Sequence, residues 1–162
     1  MTTKSVWGPC VWYLFHTMSY HIKDTNAIEF EKTKTEFVKF AFRIATNLPC
    51  PECSQHATQY VSRINPASIK TKEQLKDVFI DFQNAVNRRK GKPVFTREEA
   101  YAKYKTANVR LVIEYFFQIY GKKTVNVKLM VNNFHKDILL SEFRAWVTQN
   151  TGMFYWLLKI LV

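Results

Sequence analysis

Leu48-Pro49-Cys50-Pro51-Glu52-Cys53 is the stretch around which the rest of this chain is organised. It predicts the start of a helix, because proline is tolerated in the first helical turn and ends the element before it. The unpaired backbone N–H groups at a helix N-terminus favour a cysteine thiolate. Three uses of the two sulfurs stay open at this point: metal binding, a structural disulfide, or electron transfer.

The composition favours an all-α domain. The chain has 162 residues, 47% of them apolar, which is enough to build a core without a metal or many disulfides. Only 4 glycines and 5 prolines leave long segments in which helices can run. The 24 Lys and Arg against 13 Asp and Glu give a net charge of +11. Such a charge attracts phosphate-bearing partners without choosing among them.

The cysteine count and the two termini indicate a cytoplasmic protein. Three cysteines are too few for a disulfide scaffold, and their odd number leaves at least one thiol unpaired within the chain. The N-terminus lacks the apolar segment of a signal peptide. The longest apolar run, 154–162, is short and interrupted by Lys159, so we expect no membrane span. In the cytoplasm a Cys-x-x-Cys pair is more often redox-active or metal-binding than structural.

Apolar residues recur at helical spacing through most of the chain. The predicted helices cover residues 9–22, 27–48, 50–64, 72–89, 97–120 and 133–150, with a short strand over 124–130. The apolar residues 153–162 are interpreted as a docked helix or a subunit contact. In the third helix Cys53 shares the apolar side with Ala57, while Cys50 lies at the helix mouth. One sulfur is therefore expected to face the core and the other the solvent.

Polar residues on the first and fourth helices are candidate ligand-binding residues. Trp12 and His16 share a face of the first helix, where a histidine that simply belongs to the core is the alternative. Asn84 and Asn87 precede the basic turn 88–93, which suits a phosphate-bearing ligand. The same asparagines before a glycine are also ordinary helix capping.

A structural zinc site would need four ligands at workable spacing. Only Cys10, His16 and His56 are available to join the pair, and the sequence has no second Cys-x-x-Cys and no His-x-x-x-His. A thioredoxin-type pair would follow a strand, whereas an amphipathic helix precedes this one. Both readings are weak, and we expect no metal.

Three motifs together resemble the Erv/ALR family of FAD-dependent sulfhydryl oxidases. The first helix carries Trp12-x-x-x-His16 followed by Thr-Met, and the cysteine pair follows Pro49 at the start of the third helix. Residues 83–95, Gln-Asn-Ala-Val-Asn-Arg-Arg-Lys-Gly-Lys-Pro-Val-Phe, resemble the family's flavin-binding motif. The resemblance covers roughly residues 5 to 96, and the Trp-Gly-Pro opening at Trp7 is most similar to members from large DNA viruses.

The chain departs from the family pattern in four places. Gln83 stands where the family usually has histidine, although an amide also donates and accepts hydrogen bonds. Arg97 lies near the position of a cysteine that forms an extra disulfide in many members. A second cysteine pair to shuttle electrons is missing from the 162 residues, and residues 100–162 resemble nothing in the family.

The resemblance implies a four-helix bundle that binds FAD over residues 1–98, followed by a mainly helical extension of unknown role over 99–162. The implied reaction is oxidation of protein dithiols, with electrons passing from the cysteine pair to FAD and then to dioxygen, which gives hydrogen peroxide. Cys50 would meet the substrate and Cys53 the flavin. The implied cofactor-binding residues are Trp12, His16, His56, Tyr60, Asn84, Asn87, Arg88, Lys90 and Lys92.

The resemblance also implies a homodimer, located in the host cytoplasm or the virion if the chain is viral. Nucleic acid is not an expected partner. The alternative function is a non-enzymatic basic binding module, for nucleic acid or a protein partner, whose cysteine pair is redox-silent. Strongly salt-dependent DNA binding by a flavin-free protein would favour that alternative.

Overall fold

The computed structural model describes residues 4–122 and 130–156. In these ranges the chain forms α1 Lys4–His21, α2 Ala27–Ala45, α3 Pro51–Val61, α4 Lys72–Arg89, α5 Arg97–Tyr104, α6 Val109–Tyr120 and α7 Met130–Gln149. Short 3-10 turns, Pro66–Ser68 and Thr151–Met153, follow α3 and α7. The all-α class is confirmed, and the strand predicted over 124–130 lies outside the described residues except for Met130, which begins α7.

The starts of the helices follow from capping residues in the sequence. Thr71 and Gln74 form a capping box at the start of α4, and Thr96 and Glu99 form another at α5. The Asn26 side chain accepts hydrogen bonds from two backbone N–H groups in the first turn of α2. Each cap satisfies N–H groups that have no partner inside the helix, which is why these three starts were predictable.

The predicted bounds of the first two helices need correction. α1 begins at Lys4, so the predicted start at Pro9 is wrong, and Pro9 lies inside the helix without a backbone N–H to donate. Trp7 is 6% exposed, and its burial anchors the first turns of α1 against the core in spite of the lost hydrogen bond. α2 ends at Ala45, before the predicted end at Leu48.

The single helix predicted over 97–120 is wrong, because the segment forms two helices. α5 ends at Tyr104, and the Asn108 side chain accepts a hydrogen bond from the Leu111 N–H at 3.1 Å, which starts α6. Asparagine competes for backbone hydrogen bonds and favours a cap over a helix interior. Tyr104 and Val109 are both buried, so apolar residues continue at helical spacing on both sides of the break. The spacing of apolar residues therefore gives no sign that the helix ends at Tyr104.

Helix α1 lies at the centre of the fold. It packs against α4, α5 and α6, while α2 packs against α3 and α7. The helices of the predicted bundle, α1 to α4, are therefore joined by helices from the predicted extension. Every residue from Leu14 to Ile22 is buried, as the apolar composition of this segment predicts.

The extension packs on the bundle through aromatic side chains. The Phe143 ring in α7 lies 5.4 Å from the ring of Phe40 in α2 and 5.9 Å from that of Phe116 in α6. The Trp146 indole N–H donates a hydrogen bond to the Glu36 carboxylate at 2.6 Å. Contacts of this kind belong to a shared core, and the described residues of the extension are mainly helical, as predicted.

The apolar C-terminus docks on the core, but residues 154–156 are not helical. Phe154 is 2% exposed and forms an isolated antiparallel bridge with Ile22. The Tyr155 N–H donates to His21 O at 2.9 Å, and this pairing holds the chain extended. Docking is thus confirmed, and a helix is wrong for 154–156. Met153 ends the short 3-10 turn, and 157–162 lie outside the described residues. Within 4–122 and 130–156, no helix is long and apolar enough to cross a membrane.

Replacing Phe143 with alanine tests whether the extension shares the core. Phe143 is 1% exposed, so Phe143→Ala is expected to lower the free energy of unfolding by about 3 to 5 kcal/mol. Phe134 lies on the same helix but is 65% exposed, and Phe134→Ala is expected to change it by no more than about 0.5 kcal/mol. Urea unfolding followed by circular dichroism measures both, and equal effects would show that α7 does not share the core.

Candidate active site

The two cysteines of the opening stretch form a disulfide at the start of α3. Cys50 is the N-cap residue, and its Sγ accepts a hydrogen bond from the Cys53 N–H at 3.2 Å. Pro51 takes the first helical position, where no N–H is needed. Cys53 is 8% exposed on the side of buried Ala57, whereas Cys50 is half-buried. The predicted inward and outward orientations of the two sulfurs are confirmed.

A cavity of about 610 Å³ lies beside Cys53 and falls in the size range of cofactor sites. Its apolar lining includes Trp12, Phe15, Leu48, Ala57, Phe82 and Tyr104. Its polar lining includes Asn87, Arg89, Lys90, Lys92 and Lys103. The apolar part of the lining therefore suits a flat apolar group, and the cationic part suits an anionic group of the same ligand. The predicted site residues on its wall are Trp12, Cys53, Asn87, Lys90 and Lys92.

His16 lies behind this wall and is fully buried. Its Nε2 lies 2.6 Å from Gln83 Oε1, and because an amide oxygen only accepts, Nε2 carries the proton. Its ring stacks on Tyr104 at 4.5 Å. Burial lowers the pKa of His16 to about 4, with Lys103 contributing, so the ring is neutral at pH 7. Among the side chains that the structure describes, Nδ1 has no hydrogen-bonding partner.

Asn84 orders the turn that carries the basic residues. Its amide donates to Phe95 O at 2.8 Å and accepts from the Phe95 N–H at 3.1 Å, so it lies outside the cavity lining. The Lys92 N–H donates to Asn87 O at 2.8 Å, and Gly91 takes a φ of 65° that favours glycine. The predicted motif thus forms a closed turn that presents Asn87 and Lys92 to the cavity.

The remaining predicted residues lie around the cavity, away from its lining. His56 Nε2 is 3.7 Å from the Glu52 carboxylate on the outer side of α3. The Tyr60 ring stacks on Phe82 at 4.6 Å and so supports a residue of the cavity wall. The Arg88 side chain is exposed on the basic turn. For these three residues a cofactor contact stays a prediction.

The third cysteine, Cys10, stands apart from the pair. It is 2% exposed, and its S–H donates to Trp7 O at 3.1 Å. Burial raises the pKa of this thiol to about 12, which keeps it protonated and unreactive. In the described ranges, no group of three or more His, Cys, Asp or Glu side chains is placed to bind a metal ion.

A sequence model described as the Erv1 / Alr family matches residues 9–106, more than half of the chain. The chain belongs to the Erv1/Alr family. The match includes α5 and ends at residue 106. The expectation that residues 100–162 resemble nothing in the family is therefore wrong for 100–106. No solved structure matches the chain.

Similar proteins come from large DNA viruses and from a plant. Protein 347L of Invertebrate iridescent virus 6, which is named as a FAD-linked sulfhydryl oxidase, is 33% identical in an alignment of 108 positions that covers 62% of this chain and 93% of that protein. The FAD-linked sulfhydryl oxidase of African swine fever virus is 28% identical over 67% of this chain and 87% of its own. The FAD-linked sulfhydryl oxidase ERV1 of Oryza sativa subsp. japonica is 26% identical over 63% of this chain and 50% of its own length.

Sequence reasoning on this Erv1/Alr member missed several residues of the cavity wall. Lys103 and Tyr104 come from α5, and the Lys103 ammonium lies 4.9 Å from the centroid of the Tyr13 ring and 5.4 Å from that of Tyr104. Arg89 and Gln83 also line the cavity. The capping box at the start of α5 was a usable signal for a short helix directly after the flavin motif. Its return to the cavity depends on tertiary packing, which no local pattern encodes.

The lowered pKa of His16 predicts a pH-dependent stability. The folded pKa is about 4 against 6.5 for a free histidine, so the unfolded chain binds more protons between these values. The stability contribution is complete above about pH 6.5 and is lost as the pH falls towards 4. Between pH 7 and pH 5, the free energy of unfolding of the wild type is expected to fall by about 2 kcal/mol more than that of His16→Gln. Urea unfolding at both pH values measures the difference, and parallel losses would contradict it.

Proposed function

We propose that this member of the Erv1/Alr family is a FAD-dependent sulfhydryl oxidase that forms disulfides in protein dithiols. The observation that carries the proposal is the position of Cys53, which lines a cavity that has apolar walls and a cationic end. Relatives named as FAD-linked sulfhydryl oxidases support the same reaction class. Both observations favour the enzyme over the non-enzymatic basic module.

The cavity residues fit FAD in size, shape and charge. Trp12 and Phe82 offer flat apolar surfaces that suit an isoalloxazine ring. Lys92 and Lys103 supply cations that suit a pyrophosphate. The buried His16 Nδ1 has no hydrogen-bonding partner among the described side chains, and His16 lies outside the cavity lining. When bound, FAD supplies a two-electron acceptor that dioxygen reoxidises, with hydrogen peroxide as the product.

The two cysteines divide the thiol chemistry between them. A substrate thiolate attacks Cys50 Sγ, which is the more accessible sulfur, and the bond to Cys53 breaks. The Cys53 thiolate lies in the first turn of α3, where the positive end of the helix dipole stabilises it. The second substrate thiol then attacks the mixed disulfide and releases Cys50. Two substrate thiols have become a disulfide, and the enzyme pair has gained two electrons.

We further propose that substrates reach Cys50 directly. Half-burial of Cys50 supports direct access, since a protein thiol can approach it without opening the cavity. Protein dithiols as substrates and dioxygen as acceptor belong to this proposal. The homodimer and the location in a host cytoplasm or a virion stay predictions from the resemblance.

The purified protein is expected to be yellow and to consume oxygen when dithiothreitol is added. Cys50→Ser and Cys53→Ser are each expected to abolish turnover while flavin stays bound, because each removes one sulfur of the relay. Cys10→Ala is the control, since this buried thiol is not part of the disulfide, and it is expected to retain activity. An oxygen electrode and a visible absorption spectrum measure both properties.

A colourless preparation that stays inactive when FAD is added would contradict the proposed function. Turnover by Cys53→Ser would contradict the division of roles between the two sulfurs.

Lys103 is expected to contribute to FAD affinity. Lys103→Gln removes one cation from the polar lining and should weaken FAD binding about tenfold, or ~1.4 kcal/mol, at low salt. High salt should reduce the difference, because it screens the attraction to phosphate. Lys105→Gln, at the end of the same helix and outside the lining, is the matched control. Titration of the flavin-free protein by flavin fluorescence gives both affinities, and identical values would exclude Lys103 as a ligand.

A further inference from the structure

One side chain of the extension reaches the loop that carries the cysteine pair. Tyr120 ends α6 and is 1% exposed. Its Oη lies 2.6 Å from Asn47 O and 3.4 Å from Ile44 O. A hydroxyl has one proton, so the shorter contact is the main hydrogen bond. The last carbonyl groups of a helix have no partner inside it, and Tyr120 thus satisfies acceptors at the end of α2.

The loop is held from its other side by α3. The Ser54 Oγ accepts from the Leu48 N–H at 2.9 Å and donates to Leu48 O at 3.1 Å. Asn47 and Leu48 are therefore fixed by two hydroxyl groups, one from α6 and one from α3. Cys50 is only three residues after Asn47 and two after Leu48. So short a segment restricts how far the Cys50 backbone can move while these contacts hold. Leu48 also lines the cavity, so the same loop joins the pair to the cavity wall.

Tyr120 is itself held in place by its neighbours. Its ring stacks on Phe116 at 5.0 Å, and the Lys136 ammonium lies 5.7 Å from the ring centroid. Lys136 donates to Lys122 O at 2.8 Å, which fixes the end of α6 to α7. A Cβ at Gly121 would lie 2.5 Å from a backbone oxygen, so the close turn after Tyr120 requires glycine. Burial raises the pKa of the Tyr120 hydroxyl, which therefore stays a donor.

Opening the disulfide moves mainly the loop side of the pair. Bonded sulfurs lie about 2 Å apart, and non-bonded atoms of this size need roughly 3.5 Å or more, so the two sulfurs must separate. Cys53 belongs to α3, whereas Cys50 precedes the helix at its N-cap. Helical hydrogen bonds hold the backbone of Cys53, so the backbone that can yield to this separation is that of Cys50 and the loop behind it. Contacts that hold this loop in the arrangement of the oxidised pair favour the disulfide over the dithiol.

We propose that Tyr120 is a positioning residue for the redox pair, through which the extension sets the balance between the disulfide and the dithiol. The inference rests on the proposed function, in which the pair cycles between these forms. In the test reaction dithiothreitol loses two electrons and two protons and becomes a cyclic disulfide. The bond between Cys50 and Cys53 breaks, and each sulfur becomes a thiol.

Tyr120→Phe removes the hydroxyl and keeps the ring. The flavin-loaded variant is equilibrated without oxygen in mixtures of reduced and oxidised dithiothreitol, and its thiols are counted by alkylation and mass spectrometry. Loss of one hydrogen bond should shift the equilibrium towards the dithiol about fivefold. This equals about 20 mV for a two-electron couple. Tyr115→Phe, on the same helix and 47% exposed, is expected to match the wild type.

A shift of less than twofold in folded Tyr120→Phe would overturn the proposal. If the variant does not fold, NMR of the wild type with ¹³Cζ-labelled tyrosine decides, because the Tyr120 signal must differ between the oxidised and reduced protein. An unchanged signal would overturn the proposal as well. Failure of the proposed function is separate, since it would show as a wild type that binds no FAD and consumes no oxygen. In that case the same alkylation equilibrium is measured on the flavin-free protein.

Discussion

Helix α1 has no solvent-facing side between Leu14 and Ile22, and this constraint governs the arrangement of the other helices. A helix buried all round must be covered from every direction. Helices α4, α5 and α6 cover α1. Phe82 in α4 and Tyr104 in α5 also line the cavity. The hydrophobic core and the cofactor cavity therefore share walls. A change in the packing of α1 therefore changes the cavity wall directly, because the same side chains form both.

Burying α1 also buries its polar side chains, and their partners fix the distances between helices. His16 donates to Gln83 in α4, and the His21 Nε2–H donates to Tyr104 O at the end of α5 at 3.1 Å. An unpaired polar group in such an interior is costly, so each contact defines a relative position of two helices. Tyr104, which lines the cavity, is thereby held at both its ring and its carbonyl group.

The sequence predicted those features that depend on nearby residues. The starts of α4 and α5 follow from their capping boxes, and the inward direction of Cys53 follows from its spacing to Ala57. It did not predict the break before Asn108, because buried residues on both sides maintain one apolar pattern. Nor did it predict Lys103 in the cavity lining, because that position depends on how α5 folds back over α1. Local chemistry decides the first group and long-range packing the second.

The burial of Cys10 has a consequence for the durability of the protein. Oxidants attack the thiolate form of cysteine, and hydrogen peroxide is the by-product of the proposed reaction. With its pKa raised to about 12 and its S–H directed to Trp7 O, Cys10 presents neither a thiolate nor an open approach. A protein whose proposed reaction releases an oxidant thus keeps its spare thiol chemically silent. Packing around Cys10 thus protects the working lifetime of the protein.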